Sequence, residues 1–435
     1  MYLDAGNCGM DTGAAGDDGD PGFDYPAYGT GALCDVLPVI GTVLGVPGLG
    51  TAGSEHGRSD GPDSHGDPGA YGDEDDQVAA LAESWGLHPV GRACMFLIDG
   101  MGSELILKHA DAAPYLAALL QGGPQDIGPQ GIGRSLTAGF PSTTSTSLSS
   151  FGTGLPPGSH GMLGYKLLVP GSGRLMNFLK WDQDVDPQVW QPRETMFERL
   201  SRSGIAVTHV SSPRFAESGL TRSVFRGARF SGAEPPDVRA VRALEALEGG
   251  GRALVYLYYS DLDFVGHAAG IGSQSWRDQL SYVDALVQWL AERLPHDSSL
   301  YVLADHGMLD VPFERRIDAD TDWELRAGVA LLGGEARARH VYAHAGAERD
   351  VLAIWSERLD GVAVVRSRQD AIAEGWFGPS VDPRMWDRIG DVVVAMRADW
   401  AVIASEREVV ESRLIGMHGS MTAAEQLVPL LEVRG

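Results

Sequence analysis

From about residue 80 onward the chain alternates short apolar runs with amphipathic stretches. Residues 93–98 (ACMFLI), 205–210, 253–259 and 300–303 are such runs, and each gives way to polar or glycine-rich sequence. Continuous apolar strands read as buried on both faces, which calls for a mostly parallel sheet covered by helices. Between the last two runs, Leu280, Val283, Val287, Leu290 and Leu294 fall on one face of a helix spanning 274–294. The alternation predicts an α/β fold with a doubly wound, mostly parallel sheet flanked by helices. In such folds functional groups collect just past the carboxyl ends of strands. Asp99, Ser260–Asp261 and Asp305–His306 occupy those positions.

Two further patterns divide the chain. Segments 339–343, 350–359, 362–365 and 369–374 read as strand, helix, strand and helix, and predict a small α+β cap within about 318–385. Ahead of the main domain (80–435), Leu33, Val36, Leu37, Ile40, Val43 and Leu44 recur at three- and four-residue steps. This spacing predicts one amphipathic helix within 25–47, packed on the main domain. The flanking stretches, 1–24 and 48–79, are acidic and rich in glycine, and are expected to be disordered.

Charge sharpens that division. The net charge is −25, and residues 1–80 hold 15 acidic side chains against one basic residue, Arg58. They therefore carry −14 and the remaining 355 residues −11. A chain this acidic has no general attraction for duplex nucleic acid or for an anionic membrane surface. Cys8, Cys34 and Cys94 cannot build a disulfide framework, which points to a reducing compartment. The start of the chain lacks a basic segment followed by an apolar one, and the apolar run 37–49 is shorter than the ~20 residues needed to span a bilayer. The expectation is a soluble, cytoplasmic protein whose partner is a small molecule.

Four separated segments carry hard or borderline metal ligands: Asp99-Gly100-Met101-Gly102, Asp263-x-x-Gly266-His267, Ala304-Asp305-His306-Gly307-Met308 and His418-Gly419. Asp263 and His267 share one face of a helical turn. Three Asp and three His suit two divalent metals, with zinc the natural choice for such a nitrogen and oxygen donor set. Two metals roughly 4 Å apart can clamp both the attacking and the leaving oxygen of a phosphoryl displacement. A nucleophile is offered by FPSTTSTSLSSFGTG (140–154), where a hydroxyl next to a metal would be activated. Taken singly, each piece has a plainer reading. Asp99 could cap a helix, Asp263/His267 could be a surface pair, Asp305-His306 a buried hydrogen-bonded pair, and the Ser/Thr run a solvated loop. Their joint placement at strand ends favours the bimetal site.

In this order the motifs resemble the alkaline phosphatase superfamily, within it the nucleotide pyrophosphatase/phosphodiesterase-type branch. The resemblance covers about residue 90 to the end, including Thr153-Gly154-x-Pro-x-Gly-x-His160-Gly161. It implies that the nucleophile lies nine residues before Thr153, at Thr144, with Thr143 and Ser142 as alternatives in a shifted register. It also implies one metal held by Asp99, Asp305, His306 and the Thr144 oxygen, and a second held by Asp263, His267 and His418. The nucleotide-hydrolysing members carry an Asn shortly after the His-Gly; here Tyr165 lies nearest that position, and Asn177 follows further on. Both are candidate substrate contacts. His160 is a candidate support for the nucleophile loop, and Tyr259 and Asp261 for a ligand imidazole.

The implied activity is hydrolysis of phosphodiester or pyrophosphate bonds in small nucleotide-like substrates, through a threonine nucleophile and two zinc ions. The alternatives are a phosphomonoesterase or phosphonate hydrolase on the same scaffold and, from a different class, a non-catalytic metal-binding interaction protein.

Overall fold

The computed structural model describes residue 20 and residues 22–46, 48–49, 70–122 and 132–435, with residues 70–74 described by their backbone alone. The expected disorder over 1–24 and 48–69 lies largely outside the described residues.

Seven strands form the central sheet, in the spatial order Ile132–Thr137, Leu427–Arg434, Ser298–Leu303, Arg92–Ile98, Ala253–Tyr259, Ala206–Ser211, Arg229–Gly232. All run parallel except Leu427–Arg434, which is antiparallel to both of its neighbours. Arg92–Ile98 sits in the middle, and each of its last six residues is buried, as its unbroken apolar sequence requires. Its register sets the functional end: Ile98 pairs with Tyr259, and Leu97 with Leu303. Three adjacent strands therefore end level, and Asp99, Ser260 and Ala304–Asp305 leave the sheet side by side. The helix expected at 274–294 is Gln274–Ala291, with Leu280, Val283, Val287 and Leu290 buried against the sheet.

Leu427–Arg434 was not legible in the sequence. Pro429 and Glu432 interrupt its apolar pattern, yet the strand is paired on both sides, second from one edge of the sheet. The buried Glu432 carboxylate is satisfied there by the hydroxyls of Ser299 and Tyr301, each donating at 3.1 Å.

The N-terminal helix is shorter than its periodic pattern suggested. A single turn, Leu33–Asp35, leads into Val36–Val43. Seven of that helix's eight residues are buried, so it is covered on all sides and not along one stripe. Asp35 fixes its entry by accepting from the backbone N–H groups of Gly29, Gly31 and Ala32 at 2.9–3.1 Å. Expected disorder up to residue 79 gives way to a helix, Ala70–Ser84, over the last part of that stretch. Its acidic composition suggested disorder, but Val78, Ala82 and Trp85 follow at helical spacing and pack onto the main core.

The cap is a second sheet of four antiparallel strands, ordered Val329–Glu335, Ala338–Ala343, Val392–Met396, Ala363–Ser367, with helices Glu348–Arg358 and Arg368–Ala373. Its third strand comes from beyond the expected limit at 385, because the apolar run VVVAM (392–396) completes this sheet and not the central one. Among the described residues, no helix is long and apolar enough to cross a membrane.

Candidate active site

The Ser/Thr run forms a buried helix, Thr144–Thr153, and not a solvated loop. Its hydroxyls are largely satisfied within the fold. Ser149 and Thr153 donate to the carbonyls four residues back at 2.6 Å, Ser145 donates to the Gly164 carbonyl at 2.9 Å, and Ser150 meets His160 at 3.0 Å. His160 is thus a support for this helix, as expected. Thr144 is the first residue of the helix, so its hydroxyl stands at the positive end of the helix dipole.

Thr144 Oγ1 lies 3.2 Å from His306 Nε2. The same nitrogen is 3.4 Å from Asp99 Oδ1 and 3.5 Å from Asp305 Oδ2. On the other flank, Asp263 Oδ2 is 3.4 Å from His267 Nε2, and Asp263 Oδ1 is 3.9 Å from His418 Nε2. A short antiparallel pairing of Leu309–Asp310 with Gly416–Met417 carries His418 to this place. Its ring stacks on His306, with centroids 3.7 Å apart. The structure therefore brings together Asp99, Thr144, Asp263, His267, Asp305, His306 and His418 from five separate segments.

The three imidazoles are oriented alike. Nδ1 of His267, His306 and His418 faces the backbone carbonyl of Gly416 (2.7 Å), Gly307 (3.0 Å) and Ser142 (2.9 Å). Nδ1–H donates in each case, which leaves the Nε2 lone pair pointing into the cluster. Burial holds His418 well below the ordinary histidine range, in keeping with a neutral ring. Tyr259 and Asp261, expected to support a ligand imidazole, do not. Tyr259 donates to Gln279 and Asp261 accepts from Ser260, so backbone carbonyls hold the rings instead.

The carboxylates set the charge that the cluster requires. Burial, with the neighbouring charges of Asp305 and Asp263, pushes Asp99 well above the carboxylate range; burial also raises Asp305. One oxygen on each of Asp99, Asp263 and Asp305 is buried without a hydrogen-bond partner. Among the described residues, no Lys or Arg pairs with any of the three. Converging buried carboxylates of this kind need positive charge from elsewhere, and the donor set fits divalent metal. Asp99, Asp305 and His306 offer ligand atoms within 4.8 Å of one another, and so do Asp263, His306 and His418.

Two cavities flank the cluster. One, of about 400 Å³, is lined by Thr143, Asp263, His267, His418, Tyr165 and Glu335. The other, of about 210 Å³, holds Asp99, Arg214, Phe215, Phe225 and Tyr258. Thr144, Leu179, Asp263 and Phe264 line both, and Phe264 stands 70 % exposed between them. Tyr165, a candidate substrate contact in the sequence, lines the larger cavity, and burial pushes its hydroxyl up to about 12. Asn177 is not at the cavity wall. It lies across a hairpin from Lys166, with its side-chain Oδ1 accepting from the Leu179 N–H at 2.9 Å. Glu335 escaped sequence reasoning altogether, because it lies at the end of a cap strand and belongs to no motif. Its carboxyl is raised well above the ordinary range by burial.

A fold that gathers candidate metal-ligand side chains beyond the ends of central strands, around a helix-borne threonine, is that of a hydrolase of the α/β class. The sequence profile of the family described as Type I phosphodiesterase / nucleotide pyrophosphatase matches residues 93–421, and the chain belongs to that family. It is thus an enzyme of the phosphodiesterase/nucleotide pyrophosphatase type. Solved structures with the same fold include murine ectonucleotide pyrophosphatase/phosphodiesterase 5, both as such and as an inactive variant in complex with AMP. Each is 16% identical with a TM-score of 0.61, covering 78% of this chain and 87% of that chain. The human counterpart is 17% identical, with a TM-score of 0.60 over the same shares of the two chains.

Proposed function

We propose that the protein hydrolyses phosphodiester or pyrophosphate bonds of small nucleotide-like substrates, with Thr144 as nucleophile and two zinc ions as cofactors. The observation that carries this reading is the position of Thr144 Oγ1. It stands at a helix N-terminus, 3.2 Å from His306 Nε2 and beside three carboxylates that have no cationic partner. Asp99, Asp305, His306 and the Thr144 oxygen would hold one ion, and Asp263, His267 and His418 the other. Bound metal would supply the charge that makes a threonine hydroxyl nucleophilic near neutral pH and that stabilises a leaving oxygen.

The chain's own groups do the rest. Thr144 attacks phosphorus as its hydroxyl loses its proton, and the leaving alcohol or phosphate departs from the opposite side. The retained half of the substrate is left joined to Thr144 through its phosphorus, and water cleaves that ester in a second displacement, releasing the phosphate monoester and restoring the Thr144 hydroxyl. The backbone N–H groups at the start of helix Thr144–Thr153 are placed to receive phosphate oxygens. Aromatic groups of the smaller cavity, Phe215, Phe225 and Tyr258, offer faces for a planar base, and Arg214 offers a cation for a further phosphate. In the murine relative the inactive variant is a threonine-to-alanine change and the bound ligand is AMP; both fit this assignment.

A screen of metal-loaded protein against phosphodiesters, dinucleotides, monoesters and phosphonates tests the reading. Turnover of diesters or pyrophosphates, with retention of configuration at a chiral phosphorothioate, is the expected result. Turnover confined to monoesters or phosphonates would move the protein to the alternative substrate class. Inversion would remove the covalent step.

A further inference from the structure

Glu335 ends the cap strand Val329–Glu335 and reaches into the main body. Its Oε2 accepts a hydrogen bond from Thr143 Oγ1 at 3.1 Å and lies 3.6 Å from His418 Nδ1. Its Oε1 is buried without a partner. Thr143 immediately precedes Thr144, at the N-cap of the nucleophile helix. The His418 loop passes directly against this carboxyl. A Cβ on Gly419 would come within 2.9 Å of Glu335 Cδ, and Gly419 has φ +128°, so no side chain is accommodated there.

Nearby cations are engaged elsewhere. Lys166 pairs with Glu408 and Glu411, Arg339 with Glu408, and Arg337 with Glu425. Among the described residues no cation pairs directly with Glu335, although the charge of Arg339 lies near it; its hydrogen bond runs to Thr143, and it approaches the back of the His418 ring. Two residues along, Arg337 reaches the same loop through Glu425. Its partner Glu425 accepts from the Ser420 N–H at 2.9 Å and the Thr422 hydroxyl at 2.6 Å.

We infer that Glu335 is a positioning residue through which the cap sheet sets the half-site of Asp263, His267 and His418. The inference rests on the reading of His418 as a metal ligand. The His418 Nδ1–H is taken by the Ser142 carbonyl, and Glu335 packs beside that bond while holding Thr143, the residue next to Ser142, so it supports the ring through this backbone. Losing a group that supports a ligand imidazole typically costs 10–100-fold in metal affinity or activity. By touching Thr143 as well, the same carboxyl keeps the nucleophile helix in register with that half-site.

Metal binding to the full chain tests this without reference to turnover. The protein is stripped of metal and titrated with cobalt(II), followed by calorimetry and visible absorbance. Wild type should show two binding events. Glu335→Ala should weaken one of them roughly 10–100-fold and leave the other within a few-fold, and Glu335→Gln, which keeps an acceptor for Thr143, should recover much of the loss. Should Glu335→Ala fail to fold, Thr143→Val removes the hydroxyl contact on the same carboxyl and should weaken the same event. Wild-type-like binding of both ions in these variants, or equal weakening of both events, would overturn the inference. Absence of any cobalt binding by wild type would instead overturn the metal-site reading itself, and this inference with it.

Discussion

His306 Nε2 lies 3.2 Å from Thr144 Oγ1 and 3.4 Å from Asp99 Oδ1, so one imidazole nitrogen joins the nucleophile helix to the centre of the sheet. Between them these groups leave orphaned carboxylate oxygens on Asp99 and Asp305. His306→Ala should therefore lower the metal content and cut turnover at least ~100-fold. Metal analysis alongside a diester assay checks both, and full metal content with full activity would detach His306 from the site.

Buried histidines make stability depend on pH. His209 is packed among Phe225, Phe230 and Tyr256, and burial lowers its pKa to about 3. The unfolded chain takes up this proton near pH 6.5 while the folded chain does not, so stability falls as pH drops from about 6.5 toward 3. Between pH 6.5 and 5 this one residue should remove up to about 2 kcal/mol. Urea denaturation of His209→Phe should show a correspondingly flatter pH dependence over that interval; an unchanged slope would count against a neutral buried ring.

Arg337 and Glu425 form a fully buried ion pair that ties the cap to the His418 loop. Arg337→Leu leaves a buried carboxylate uncompensated and should destabilise the protein by about 3–5 kcal/mol. The double variant with Glu425→Leu should lose less than the two single losses added together. Thermal unfolding of the three variants decides this, and simple additivity would mean the pair does not act as a unit.

Phe264 lines both cavities yet stands exposed between them. Phe264→Ala should raise KM about 10-fold for substrates bearing a large apolar or aromatic group, with kcat changed less than about threefold, as expected for contact area of roughly 1–3 kcal/mol. Steady-state kinetics on an aryl and a small alkyl ester separates this from a general loss.

Much of the fold was legible because the central strands are buried on both faces and are written as apolar runs. Residues 253–259 and the ends of the neighbouring strands fall within one or two residues of expectation. Asp99, Asp305 and His306 were legible for the same reason, since they follow strands whose ends the pattern marks, whereas Asp263, His267 and His418 were legible only from their short motifs. What the pattern hid depended on distant partners. Leu427–Arg434 carries a glutamate satisfied only by hydroxyls of another strand. Helix Ala70–Ser84 looked like a solvated acidic tract until its apolar edge met the core. Glu335 has no local signal, because its place at the site comes from folding the cap over the His418 loop.

The central claim is that Thr144 carries the reaction at a site whose metals are held mainly by the Asp and His side chains. Thr144→Ala, purified in parallel with wild type, should retain its metal and lose diester turnover by at least ~1,000-fold. Turnover within about tenfold of wild type, with metal still bound, would contradict the assignment of Thr144 as nucleophile.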